Sequence, residues 1–451
     1  MKRGIVVLAA MLITTVALAG CGGKSDNGSA ASPSAGSSAV SSAVNSGPAD
    51  SVQPYEIRIA TWQTDDTTSS ILKTAKEKFE ADHPGATVKI EAYPGSNYDT
   101  KLQTELAAGN PPDIFQVGEQ NFARYLEKNI LIDLAPYTKD DYDMEDIVPN
   151  VKGLLTVDGK VPVMSIGGAT IAVYYNKKLF DAANIPYPQA GWTWEQFRDI
   201  AKQLTITEGS KTTQYGANLD LGKDWVEPFI VSNGGSYLSE DGTTAVGYLN
   251  GDKTVDAFEK IWELYNVDKV APNPAEMMAL KGIDLFATGK VAMNVNGSWA
   301  QGDLRNNPDI QFGVVALPTM STGKQTSLLY ASGMGISTKS KHQDEAWKFL
   351  LELTSPDTEA GKGWAKSNLA ISKKLAAESK QSEDPYLSVF VEQLDNAIVS
   401  GYFANSYWGA VGNKLLSPAI KEILLMEKGD IRNKLTSLAD QIDRELKQAA
   451  E

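Results

Sequence analysis

The sequence predicts an α/β protein with more than one hydrophobic core. Between Tyr55 and Val117, period-two apolar runs alternate with helical faces in a β-α-β-α-β order. That order argues for a parallel sheet covered by helices. The same alternation resumes after Thr170. The chain, at 451 residues, also exceeds the roughly 250–300 that one core serves.

The elements follow in order. Lys2 and Arg3, the apolar run Ile5–Ala19 and the small residues behind it form a secretory signal over 1–20. The run falls short of the roughly 20 residues that a membrane span needs. Residues 21–53 begin with the only cysteine, Cys21, and are rich in Ser, Ala and Gly. Such a stretch buries too little apolar surface to offset its ordering entropy and reads as a flexible linker. Ile57, Ile59 and Thr61 alternate as a strand. Ile71, Leu72, Ala75 and Phe79 share a helical face that His83-Pro84-Gly85 stops. Val88, Ile90 and Ala92 make a second strand, Leu102 and Leu106 mark a helix closed by Gly109, and Asp113–Val117 is a third strand.

Further on, Thr170–Tyr175 is β-branched and aromatic, hence a strand. Thr193-Trp194-Glu195-Gln196 is a capping box opening a helix through Phe197, Ala201 and Leu204. Val255, Phe258, Ile261 and Trp262 share a helix face. Val291, Met293 and Val295 alternate behind Gly289. Phe312–Leu317 and Met334–Ser337 are strands, and helices follow through Ala346–Leu353 and Leu435–Ile442. Asp140–Asp146 reads as a solvated acidic loop, since it lacks the Gly and Glu of a calcium loop.

Charge and motifs narrow the function. Asp and Glu outnumber Lys and Arg, 56 to 42, and the excess grows once Lys2 and Arg3 leave with the signal. An acidic surface argues against nucleic acid and against a polybasic grip on lipid. The chain holds no G-x-S-x-G, H-E-x-x-H or P-loop sequence, and its two His stand apart from any metal-binding pattern. No cofactor is expected.

Several stretches resemble a known family. They are Asn110-Pro111-Pro112-Asp113-Ile114-Phe115, Tyr175–Phe180 running to Trp192–Glu195, Gly289–Met293 running to Asn296-Gly297-Ser298-Trp299, and Gly333–Ser337 with Asp344–Leu350. All resemble the extracellular solute-binding proteins of bacterial carbohydrate ABC importers, in family order from about residue 55 onward. Leu18-Ala19-Gly20-Cys21 is similar to a lipoprotein lipobox, which implies cleavage before Cys21 and its acylation.

The resemblance implies a two-lobe periplasmic-binding-protein-like fold, each lobe a sheet flanked by helices, joined by hinge crossovers. Lobe 1 would comprise 54–165 plus 331–370, and lobe 2 166–330 plus 371–451. A sugar would close the lobes on itself, and the closed form would meet permease subunits in the membrane. The protein would act as a lipid-anchored monomer facing outside the cell.

Sugar recognition needs aromatic faces for the C–H side of the ring and polar groups for its hydroxyls. Such groups gather past the carboxyl ends of strands. The candidates are Trp62 and Asp65 after the first strand, Glu119 and Gln120 after the third, and Trp299 after Val291–Val295. The small Gly297 and Ser298 leave room there for an approaching ligand. Trp408 matches a late stacking position of the family. Asp220 and Trp225 flank a predicted loop, and Tyr98 and Tyr330 are further aromatic candidates. Two rival readings stay open: a surface glycoside hydrolase, because the many carboxylates allow a catalytic pair, and a ligand-sensing subunit of a membrane signalling system.

Overall fold

A computed structural model describes residues 53–273, 276–277, 284–394, 397–399, 405–426 and 430–451. The predicted signal peptide, Cys21 and nearly all of the predicted linker lie outside the described residues. Among the described residues no helix is long and apolar enough to cross a membrane.

Among the described residues ten strands build two sheets. They are β1 (Tyr55–Thr61), β2 (Ala86–Ala92), β3 (Ile114–Val117), β4 (Met164–Ser165), β5 (Ile171–Asn176), β6 (Ile206–Glu208), β7 (Lys211–Asn218), β8 (Val291–Gly297), β9 (Phe312–Val315) and β10 (Gly333–Ile336). The first sheet has the order β2-β1-β3-β10-β4, and the second β6-β7-β8-β5-β9. In the first, β1 runs parallel to β2 and β3, with Ile59 opposite both Ile90 and Ile114. The predicted parallel pairing ends there. β10 lies antiparallel to β3 and β4, because the chain re-enters this sheet from the second one. The second sheet is mixed: β5 is antiparallel to β8 and β9, while β7 is parallel to β8.

Local sequence sets the helix ends. Helix α1 (Asp66–Asp82) starts where the Asp65 carboxylate accepts the Thr68 N–H at 2.9 Å. It buries Ile71, Leu72, Ala75 and Phe79 against the first sheet, and Gly85, at φ 89°, turns the chain into β2. At Trp194–Leu204 both halves of the Thr193–Gln196 capping box form. The acidic stretch is tied down rather than simply solvated: Asp141 accepts from the Trp347 indole at 2.8 Å, and Asp146 from the Lys374 N–H at 3.0 Å.

Two crossing segments join the sheets. Residues 166–170 lead from β4 to β5, and 328–332 lead back toward β10. Ala169 and Tyr330 exchange two backbone hydrogen bonds of 2.9 Å, and Gly168 and Leu369 exchange two of 3.0 Å. Gly167 sits at φ 139°, and a Cβ there would come within 2.9 Å of the Asn368 Cβ. Only glycine fits that crossing without strain. One core lies under the first sheet, one under the second with the C-terminal helices, and a third takes residues from both, including Phe115, Tyr174 and Phe390.

Candidate ligand-binding cleft

A cleft of about 610 Å³ opens between the two sheets, over the crossing segments. That volume falls in the usual range of small-molecule sites, roughly 300–1,000 Å³. Its walls come from the ends of strands, where side chains leave the sheet and point past it. Of the predicted residues, Trp62, Asp65, Glu119, Gln120, Trp299 and Tyr330 all line it.

Trp62 follows β1. Its backbone N–H donates to Gln116 Oε1 at 3.3 Å, and Tyr98 meets its ring edge-on at 5.2 Å. Tyr98 itself is buried and donates from its hydroxyl to the Gln116 carbonyl at 2.6 Å. It therefore braces Trp62 from behind and presents no surface to the cleft.

Trp299 follows β8 and is 40% exposed, unusual for an indole. Trp225 meets it edge-on at 6.0 Å and Tyr330 at 5.7 Å, with interplanar angles of 76° and 82°. Two perpendicular neighbours hold the ring in place and leave it partly exposed. Gly297 and Ser298 make no room for ligand, contrary to expectation. A Cβ on Gly297 would lie 2.3 Å from the Trp299 ring, so the glycine exists to let that ring fold back over the strand. Ser298 is buried, and its N–H donates to the Thr170 carbonyl at 3.0 Å.

The predicted loop around Asp220 and Trp225 is partly a helix, Lys223–Ser232. Asp220 is exposed, does not line the cleft, and accepts the Gly222 N–H at 2.7 Å, shaping the turn into that helix. Trp225 stands on the first turn and reaches the cleft only through Trp299. Pro228 inside the helix has no N–H for the Asp224 carbonyl, and the Tyr330 hydroxyl donates to that carbonyl at 3.4 Å. A break in the helix ladder thus positions one wall of the cleft.

Trp408 also departs from expectation. It is 1% exposed, packs with Tyr237 at 6.1 Å, and belongs to the core beneath the second sheet. The adjoining Gly409 backs onto Gln120. This part of the C-terminal region therefore supports the cleft from outside it.

Electrostatically the cleft is acidic. Burial, and then the Asp224 carboxylate, push the Glu119 carboxyl up to about 7, partly offset by backbone N–H groups and Lys223. Lys223 is itself buried and pairs with Asp224 at 2.7 Å. Tyr330 is held well above its ordinary value, by burial first and then by Asp224 and Glu119. At the same time Asp303 is raised, by burial and then by Asp65, Asp66 and Asp284.

Some lining residues were not singled out from sequence. Asn294 and Asn296 had a signal, since they are the polar positions that alternate with Val291, Met293 and Val295 in β8. Asp284, Asp303 and Ser367 had none, because distant parts of the chain bring them to the cleft.

A profile of bacterial extracellular solute-binding proteins matches residues 62–360. The chain belongs to that family. Among its relatives, a putative binding protein of Brucella abortus is 26% identical over 77% of this chain and 84% of its own length. The diacetylchitobiose binding protein DasA of Streptomyces coelicolor is 27% identical over 84% of each. The ABC substrate-binding protein Lmo0181 of Listeria monocytogenes, solved in complex with cycloalternan, superimposes with a TM-score of 0.78 at 24% identity. That superposition spans 88% of this chain and all of the other, and it establishes the two-lobe fold of this solute-binding protein.

Proposed function

We propose that this solute-binding protein captures a sugar or oligosaccharide between two lobes and delivers it to an ABC importer, while held outside the cell by a lipid on Cys21. The observation that carries the reading is the partly exposed Trp299 ring, held by Trp225 and Tyr330 in a cleft between two sheets. The lobes divide as 54–165 with 331–370 and 166–330 with 371–451. Ligand touching both walls favours the closed arrangement by its differential affinity, and the permease subunits recognise that arrangement. Sugar-binding relatives of the same architecture support the substrate class.

A thermal-shift screen against a sugar panel, followed by calorimetry, tests the reading. On the sugar that binds, Trp299→Ala should cost about 2 kcal/mol, on the order of 30-fold in affinity. Apo stability should change little, because removing a half-open cleft ring leaves no enclosed cavity. Near-normal affinity with a collapsed melting temperature would remove Trp299 from the site. Release of product from an oligosaccharide would instead favour a hydrolase with Glu119 and Asp224 as its carboxylates.

The anchor has its own test. Cys21→Ala should abolish acyl labelling and release the protein from the membrane fraction. Labelling that persists in the variant would end the lipoprotein assignment.

A further inference from the structure

On the reading that the cleft takes a saccharide, one buried cation extends the site. Lys223 is 2% exposed, and among the described residues no other Lys or Arg is buried. Taking an ammonium out of water is costly, and lysine is seldom fully buried. Its place in the helix Lys223–Ser232 is unfavourable as well, because it stands on the first turn, where the helix dipole favours anions. An apolar chain such as methionine would fill the volume without either penalty. A residue that breaks two local rules at once points to a function.

Lys223 is held along its whole length. The Tyr237 hydroxyl donates to its carbonyl at 2.8 Å. Its stem passes against Gly412, which opens the turn Gly412–Leu416. A Cβ on that glycine would lie 3.0 Å from Lys223 Cδ and 3.1 Å from Cε, so the missing side chain lets the turn close over the stem. At the far end the ammonium donates to Asp224 Oδ1 at 2.7 Å.

Asp224 belongs to the cleft wall. Its side chain keeps 32% of its surface and lines the cleft, as Tyr330 does. The Tyr330 hydroxyl fixes the Asp224 backbone through its carbonyl, at 3.4 Å. The backbone is thus tied from the crossing segment and the carboxylate from the core behind it. A carboxylate only accepts hydrogen bonds, and sugar hydroxyls can donate them. Such charge-assisted bonds are the stronger kind.

The burial of Lys223 defines what it can do. It does not line the cleft, so it cannot touch a ligand there. It acts on one only through Asp224. A side chain that must be ordered when it grips a ligand loses rotamer freedom at that moment, and one already fixed does not. An exposed lysine would hold the carboxylate poorly, since surface pairs are mobile and screened. A clamped ammonium on the core side is neither.

We propose that Lys223 is a positioning residue for sugar recognition, fixing from behind the cleft wall the Asp224 carboxylate that accepts hydroxyl groups of the ligand. The test is calorimetry on the full chain at one pH, with the tightest-binding sugar of the thermal-shift panel and each of its monodeoxy analogues. D224N, which keeps an oxygen for the ammonium, should weaken that sugar about tenfold. K223M should weaken it about threefold or more. Its melting temperature should hold, since an apolar chain of similar volume often replaces a buried ion without loss. The double variant should bind no worse than D224N alone, whereas a merely structural lysine would multiply the two losses. One monodeoxy analogue should bind the wild type and all three variants alike, because it lacks the hydroxyl that Asp224 takes. K223Q carries the same comparison if K223M does not fold. Unchanged or tighter binding by the Lys223 variant, losses that multiply, or wild-type affinity in D224N would overturn the proposal and leave the sugar site standing. If no saccharide of the panel binds, the sugar reading itself falls, and this proposal with it.

Discussion

Trp408→Ala should cost about 3–5 kcal/mol of folding stability, the range for truncating a large buried aromatic. The ring is 1% exposed and packs with Tyr237 in the core that the C-terminal helices form under the second sheet. Its loss leaves a cavity that the neighbouring helices cannot fill without moving. Denaturant unfolding should show a lower midpoint with an unchanged slope, the signature of altered stability alone. Affinity of the folded variant should fall far less than in Trp299→Ala, because Trp408 offers the cleft no surface. A large loss of affinity with normal stability would mean that Trp408 faces the ligand after all, in a form of the protein unlike this one.

Glu119→Gln should change how stability depends on pH. Glu119 ionises near 7 in the folded protein and near 4.5 when unperturbed. The folded state therefore holds the proton where the unfolded state has lost it. The contribution of Glu119 is fully present below about pH 4.5 and is lost as pH rises through about 7. At roughly 1.4 kcal/mol per pH unit, the loss is on the order of 3 kcal/mol. Glutamine keeps the shape and cannot ionise. Unfolding free energies of both proteins should thus diverge between about pH 4.5 and 7 in favour of the variant. The wild-type-minus-variant difference isolates Glu119 from oppositely shifted groups such as Glu91, whose pKa is lowered by Arg58 and Lys89 against the effect of burial. A flat difference across that window would show that Glu119 ionises normally.

Much of the fold was legible because its signals are local. The stop at His83-Pro84-Gly85, the Thr193 capping box and the alternation in β8 each depend on residues within a few positions of one another. β7 and the helix Lys223–Ser232 were less legible. β7 has only a short buried run at Tyr215–Ala217, and a proline with a flanking glycine disguises the helix as a loop. The parallel order of β1, β2 and β3 followed from the alternation, but the antiparallel insertion of β10 did not. Nothing local to Gly333–Ile336 says which sheet it joins.

The aromatic candidates separate what each level decides. By itself the sequence determined the α/β class, the order of most elements, the family resemblance, and that Trp62, Glu119, Gln120 and Trp299 follow strands. These depend on period, capping and motif, all carried by neighbours in the chain. Only the tertiary structure decided which rings face the cleft. Trp299 and Trp408 both lie beside small residues, in stretches that look equally suited to a ligand. One is 40% exposed and the other 1%. The difference arises because the C-terminal helices cover Trp408, whereas Trp225 and Tyr330 pack perpendicular to Trp299 and leave it partly exposed. Burial depends on what packs against a side chain from far along the chain, and no local pattern encodes that.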